Sequence, residues 1–345
     1  MGQLALFNIN RISKTALLDD INDYDKVLIS VSGGKDSLAL TLKAIEMGVD
    51  RSKIELFHQS VDGRHDTHQA FFDWPSTEGY VRRIAQALGV KLSWQWRDGG
   101  IKKEMYRENA LTGDVFYQAE GSDDIVCLPT TKGTLSTRRK FPAKVASLSQ
   151  RWCSSAAKID PARRAITARE DLKGTNERPM KLCWLTGERR EEGAARAKFD
   201  EIPQHPANSK ARIVHWWRAI IDEDEQSVWT RLEKHRIRPH PVYYFFPRLS
   251  CRCCIFFGKN HWKSLKDISP EAFELVEQTE RDLGFKIDQR FTVSELAAMG
   301  KSSVRERTMH HIPKIVSEWT DDVILAPGEQ WELPAAAFGE GGGSI

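Results

Sequence analysis

Lys26-Val27-Leu28-Ile29-Ser30-Val31-Ser32-Gly33-Gly34-Lys35-Asp36-Ser37-Leu38 is the stretch whose reading decides the fold. Its first half is a nearly continuous apolar run, the kind buried on both faces of a parallel sheet. Its second half changes period: over 36–47, Leu38, Leu42 and Ile45 share one helical face, and Gly48 ends the helix. A strand passing into a helix through Ser32-Gly33-Gly34 predicts the opening unit of an α/β sheet.

Downstream the alternation continues. Residues 54–61 read as a second strand, 77–88 as a helix with Tyr80, Val81, Ile84 and Leu88 inward and Gly89 as its cap, 91–96 as a third strand and 181–186 as a fourth. Such spacing predicts βαβ units in a doubly wound parallel sheet, with the ligand beyond the carboxyl ends of the strands. Residues 98–150, rich in Gly, Ser, Thr and basic side chains, read as an insertion over the mouth of the site, partly helical at 102–110. Upstream, 14–24 reads as helical. After about residue 205 the chain becomes aromatic, Pro-rich and cysteine-bearing (239–257), with helices near 271–283 and 293–299. The expected organisation is an α/β domain over 1–205, a helical, cysteine-bearing C-terminal extension over 206–330 and a flexible tail over 331–345, which ends Phe338-Gly339-Glu340-Gly341-Gly342-Gly343-Ser344-Ile345.

The 345 residues, 40% hydrophobic and 29% charged, have the composition of a folded globular protein. No apolar run approaches the roughly 20 residues that span a bilayer. The start, Met1-Gly2-Gln3-Leu4-Ala5-Leu6, lacks the basic and apolar regions of a signal peptide and the hydroxyl residue of a myristoylation site, so a cytoplasmic location is expected. The net charge of +3 is unevenly spread: Lys132, Arg138, Arg139, Lys140, Lys144, Arg151, Lys158, Arg163 and Arg164 face Asp160 alone among acidic residues in that span. That run reads either as a solvated face or as a surface for a phosphate-rich ligand, a small nucleotide or DNA or RNA.

Ser32-Gly33-Gly34-Lys35-Asp36-Ser37 has a direct physical use. Glycine lets backbone N–H groups approach phosphate oxygens, and the helix N-terminus adds its positive end. Ser32 and Ser37 supply hydroxyl donors, Lys35 a point charge, and Asp36 a carboxylate that orients donors or holds a phosphate-bound metal. It is not a Walker A loop, because Asp follows the lysine. A plain strand-to-helix turn is the bland alternative, but it needs none of these flanking side chains.

The hexapeptide resembles the PP-loop of N-type ATP pyrophosphatases. Gly187-Glu188-Arg189-Arg190-Glu191-Glu192-Gly193-Ala194-Ala195-Arg196 is similar to a second segment found in the branch containing phosphoadenosine-phosphosulfate (PAPS) reductases, small ATP-sulfurylase subunits and DNA-phosphorothioation ATP pyrophosphatases, with Gly193 in place of the usual Ser. The likeness extends over most of 25–300, including Glu78-Gly79-Tyr80-Val81 and Arg151-Trp152-Cys153 with Lys158. It implies an adenine nucleotide alpha-hydrolase-like (HUP) fold, binding of ATP with Mg²⁺, and cleavage between the α- and β-phosphates to adenylylate an acceptor. Lys35, Asp36, Arg189 and Arg196 are then the expected catalytic residues, and Ser32, Gly33, Gly34, Ser37, Asp62, Gly187 and Glu192 join Lys35 and Asp36 in holding the nucleotide. From the residues alone, Arg189 and Arg196 sit on one side of a helix, where Glu–Arg pairs are the bland reading.

Six cysteines occur, and Cys251-Arg252-Cys253-Cys254 points to metal or redox chemistry rather than a disulfide framework. Cys251 and Cys254 have the spacing that lets two thiolates reach one metal or cluster. The resemblance adds Cys153 as a third ligand, and Cys253 is the nearby candidate for a fourth. A four-iron four-sulfur cluster, structural zinc and simple core packing all remain open, while Cys127 and Cys183 read as structural. The functional expectation is an ATP pyrophosphatase in sulfur metabolism or in sulfur insertion into nucleic acid, served by a cysteine desulfurase or other sulfur donor. The alternatives are a sulfonucleotide reductase, against which stands the lack of any cysteine after Cys254, and a non-catalytic nucleotide-binding regulatory module.

Overall fold

The computed structural model describes residues 16–64, 70–145 and 150–338. Strands β1 (Lys26–Ser30), β2 (Ile54–Ser60), β3 (Lys91–Arg97), β4 (Val115–Ala119), β5 (Val126–Leu128), β6 (Met180–Leu185) and β7 (Arg212–Trp217) form one sheet in the order β5-β4-β3-β2-β1-β6-β7. The five strands from β3 to β7 across β1 are parallel, and β4 and β5 add an antiparallel edge. The architecture is α/β, a mostly parallel, Rossmann-like sheet with helices on both faces.

Period-two alternation explains why Val27, Leu28 and Ile29 of β1 are all apolar. Val27 and Ile29 face a core shared with Leu38 and Leu42 of α1 (Lys35–Glu46) and with Tyr80, Val81 and Ile84 of α2 (Thr77–Leu88). Leu28, between them, faces the opposite core with Phe57, Trp184, Ala165 and Ile166. The last two belong to the helical stretch 152–168, in which Ser155–Ile159 forms a π-type turn. Every side of the central strand is therefore covered.

The sequence placed the first three strands and their helices within a residue or two, and several other expectations change. The insertion at 98–150 does more than cover the site: β4 pairs antiparallel with β3, and Phe116 stacks on Trp96 at 5.6 Å. Its helix is α3 (Gly100–Tyr106). Strand β7 lies past the boundary expected near 205 yet pairs with β6 from Met180↔Arg212 to Leu185↔Trp217, so the sheet domain runs further. Within 14–24 the described residues hold a 3-10 turn at Ile21–Asp23. Residues 331–338, expected in the tail, are anchored: Trp331 donates from Nε1 to Ile237 O at 2.8 Å and Ala337 is buried. Residues 339–345 lie outside the described ones.

The C-terminal extension builds its own apolar core from Phe246, Phe257, Trp262, Phe273 and Val276, on helices Lys259–Ile268, Pro270–Leu283 and Val293–Met299 and the loop before them. That core also takes in Val61, Phe141 and Trp152. The extension is thereby packed against the carboxyl end of the sheet, and its loop at 247–251 overhangs the ends of the central strands.

Candidate functional site

Between β1 and β6 the direction of strand addition reverses, and at such a switch point the two outgoing loops part to leave a crevice. A cavity of about 560 Å³ lies there, walled by residues 30–37 after β1, by Thr186 to Arg189 after β6, and by 247–251 from the extension. Its size falls within the range of small-molecule sites.

The turn from β1 into α1 is made by Gly33, whose φ of 77° strains any other residue; a Cβ there would also press on Val81 at 3.2 Å. Gly34 follows as the N-cap of α1. The first-turn N–H groups have no partner within the helix, and the loop's own hydroxyls hold it in place. Ser37 Oγ accepts from Ser32 N–H at 3.2 Å and donates to Gly34 O at 2.9 Å, while Lys35 N–H donates to the Tyr243 hydroxyl at 2.8 Å.

Charge is concentrated around this turn. Lys35 is buried beside the rings of Trp229 and Tyr243, and its Nζ lies 3.0 Å from Glu225 and 3.7 Å from Asp36. Burial alone would lower its pKa, but Tyr243, Asp36 and Glu225 together hold it above the usual lysine value. Asp36 Oδ1 accepts from Arg189 Nε at 2.6 Å, and the Arg189 guanidinium also reaches Glu191 and Glu223 O. Arg189 N–H donates to Glu192 Oε1 at 2.9 Å, and Glu192 pairs with Arg196. Gly187 lets this second loop come close: a Cβ there would stand 3.2 Å from Asp36 O.

Of the residues expected to act together, Ser32, Gly34, Lys35, Asp36, Ser37, Gly187, Arg189, Glu192 and Arg196 line one cavity. Gly33 shapes its turn from behind. Arg189 and Arg196 do not share a helix as expected: two 3-10 turns, Arg190–Glu192 and Arg196–Lys198, are separated at Gly193, whose φ of 154° breaks the run. Asp62 is outside the cavity wall. Its buried carboxylate accepts from the N–H groups of Phe71, Phe72 and Asp73 at 2.8–2.9 Å, and so fixes the turn leading into α2.

Sequence reasoning missed the distant wall residues. Glu225 and Tyr243 reach the loop from beyond β7, and no local pattern marks them. Lys158, carried by the π-type turn, and Arg248 also line the cavity; among the described residues neither has a carboxylate partner in an ion pair. His58, on β2, completes the wall with Gln59, Asp73 and Thr77.

Cys251 is part of the same wall, and Cys153 and Cys254 pack with it in the core of the extension. Burial pushes the Cys251 and Cys153 thiols up, an effect Lys158 partly opposes. Cys253 is turned elsewhere: its Sγ donates to Phe71 O at 3.3 Å and burial pushes its pKa to about 12. Among the described residues no three His, Cys, Asp or Glu side chains converge closely enough to hold a metal ion. Cys127 is exposed on β5 and Cys183 is buried in β6.

Part of the basic run is spent internally. Arg138 pairs with Glu104 at 3.0 Å and covers Trp152, Arg163 pairs with Asp160 at 2.7 Å, and Arg164 donates to Thr130 and to the carbonyls of Leu128 and Pro129. Among the described residues, no helix is long and apolar enough to cross a membrane.

No protein-family model matches the chain. It is similar to a protein of Escherichia phage 186, described as an uncharacterized 37.8 kDa protein in the gpa 5′ region, with 24% identity over 266 residues that cover 74% of each chain.

Proposed function

We propose that the chain is an ATP-binding enzyme of the PP-loop type, with an adenine nucleotide alpha-hydrolase-like fold, that splits ATP into AMP and pyrophosphate while adenylylating an acceptor. The observation that carries this reading is the Ser32–Ser37 turn at the head of a buried α1, joined to Arg189 through Asp36 in the wall of a cavity at the switch point. The N-terminal end of α1, serine hydroxyls and the Lys35 ammonium offer donors to phosphate oxygens.

In this mechanism the acceptor oxygen attacks the α-phosphorus, the bond to the bridging oxygen breaks and pyrophosphate leaves. Lys35, Arg189 and the α1 N-terminus stabilise the charge that collects on the departing group. Arg196 reaches the same cavity with Glu192 as its counter-ion. The half-buried Asp36, with Ser37 beside it, fits Mg²⁺ as one carboxylate ligand among phosphate oxygens. When bound, that ion neutralises phosphate charge. Lys158 and Arg248, without carboxylate partners among the described residues, suit an anionic acceptor on the Cys251 side, and a thiol there fits sulfur chemistry. The internal pairing of Arg138, Arg163 and Arg164 favours a small acceptor over a nucleic-acid polymer.

The test is release of pyrophosphate from ATP with Mg²⁺, measured with and without small sulfur-containing acceptors. Asp36→Ala is expected to abolish it while the fold persists. Undiminished turnover in that variant would refute the assignment.

A further inference from the structure

The short turn Pro241–Tyr244 presents Tyr243 to the cavity described above and Tyr244 to a second one, of about 450 Å³, which shares no described wall residue with the first. A row of rings lines it. Tyr244 lies face to face with His311 at 3.5 Å and 11°, and His310 follows at 3.9 Å, tilted by 40°. Burial, with His310 and Lys314 beside it, lowers His311 to about 4, so its ring is uncharged at neutral pH. The row ends at His310, which is exposed, and a further flat ring can continue it there.

Two guanidinium groups border these rings. Arg238 is spent on Glu329, whose two carboxylate oxygens it meets at 3.0 and 3.1 Å. Arg307 is exposed and, among the described residues, has no carboxylate partner in an ion pair. Glu332 is the one carboxylate among the described residues of this wall, and once ionised it only accepts hydrogen bonds.

A ligand that answers all three features carries a flat ring, an anionic group and hydroxyl or amine donors. A nucleoside monophosphate has each of them: a base to extend the row, a phosphate for Arg307 and ribose hydroxyls for Glu332. The cavity is within the size range of small-molecule sites. One unpaired guanidinium matches one phosphate group, whereas a strand with a charge on every nucleotide would gain little from a wall that also carries Glu332.

We propose that this cavity is a second binding site, for a nucleoside monophosphate whose base stacks on His310 and whose phosphate pairs with Arg307. Such a site is independent of whether the first cavity takes ATP.

The test is protection of His310 from diethyl pyrocarbonate in the full chain, read by mass spectrometry of the peptide that carries it, which reports on this cavity alone. AMP and UMP should slow the modification saturably. Ribose 5-phosphate, which lacks the base, should need a concentration at least about fivefold higher than AMP. Arg307→Ser should raise the AMP midpoint about tenfold, and Arg307→Lys, which keeps the charge, should recover much of that loss. Urea unfolding of each variant shows that the fold persists. Failure of both nucleotides to protect His310 at millimolar concentration overturns the proposal. So does equal protection by ribose 5-phosphate and AMP, which would make the cavity a plain anion site, or an unchanged AMP midpoint in a folded Arg307→Ser protein. Protection by a short single-stranded DNA but by neither nucleotide would also overturn it and assign the surface to nucleic acid.

Discussion

Replacing Glu225 with Gln should move stability and nucleotide affinity in opposite directions. Lys35 is buried and its Nζ is held 3.0 Å from Glu225 Oε1, with Asp36 at 3.7 Å and Pro247 O at 3.5 Å as weaker neighbours. A unit pair about 4 Å apart is worth about 1 kcal/mol in bulk water and about 4 kcal/mol at an effective dielectric of about 20. The Glu225 side chain retains 27% exposure, which puts the pair toward the lower figure, and the glutamine oxygen still accepts from the ammonium. Loss of the carboxylate should therefore cost about 1–2 kcal/mol of folding stability. It also removes a negative charge that phosphates must displace or tolerate. Relief of about 1 kcal/mol of repulsion should tighten ATP binding about fivefold. Urea unfolding read by tryptophan fluorescence gives the first quantity and calorimetric titration with ATP and Mg²⁺ the second. If affinity weakens in step with stability, Glu225 is orienting Lys35 for the ligand, and the idea of a lysine that exchanges a carboxylate for phosphate is wrong.

Gly187→Ala places a methyl group 3.2 Å from Asp36 O, against backbone that cannot swing aside, so a loss of about 1–2 kcal/mol and weaker ATP binding are expected; unchanged values in both would mean that the two loops are not tightly apposed. Glu46 is held down to about 2 by its bonds to Lys234, His235 and Arg231, which outweigh its partial burial. Its carboxylate thus contributes stability that is complete above its unfolded value of 4.5 and fades as pH falls through about 2. The stability gap between the natural protein and Glu46→Gln, measured by denaturant titration, should follow that course, and a gap that does not change with pH counts against it. A thiol-reactive dye should label the exposed Cys127 first and reach Cys183 and Cys253 only on unfolding, as peptide mapping would reveal; early labelling of Cys253 would contradict its burial against Phe71.

Local chemistry determined the elements around the Gly33-Gly34 turn. The apolar Val27-Leu28-Ile29, Gly33-Gly34 and an amphipathic run leave few alternatives to strand, left-handed turn and helix, since each signal resides within a few neighbouring residues. The same holds for the expectation that Lys35, Asp36, Ser37 and Arg189 meet, because a switch point brings the ends of adjacent parallel strands together whatever lies between them. What depended on distant partners was not legible. Residues 115–119 and 126–128 are strands because the edge of β3 offers unpaired backbone groups, and their polar surroundings in sequence conceal it. The run from Gly187 to Arg196 has helical spacing of its arginines, yet Gly193 and the pull of Asp36 and Glu192 on two different guanidinium groups divide it into separate turns. Arg138 and Arg163 looked free until Glu104 and Asp160 were found beside them. Cys253 shares a tetrapeptide with Cys251 and Cys254 but is drawn away by the carbonyl of Phe71. The sequence by itself determined the central strands, their helices and the location of the Gly33-Gly34 turn, because these follow from periodicity and backbone sterics. Tertiary structure alone decided which charges are neutralised and which thiols face the cavity, because each of these is a contact between residues far apart in the chain.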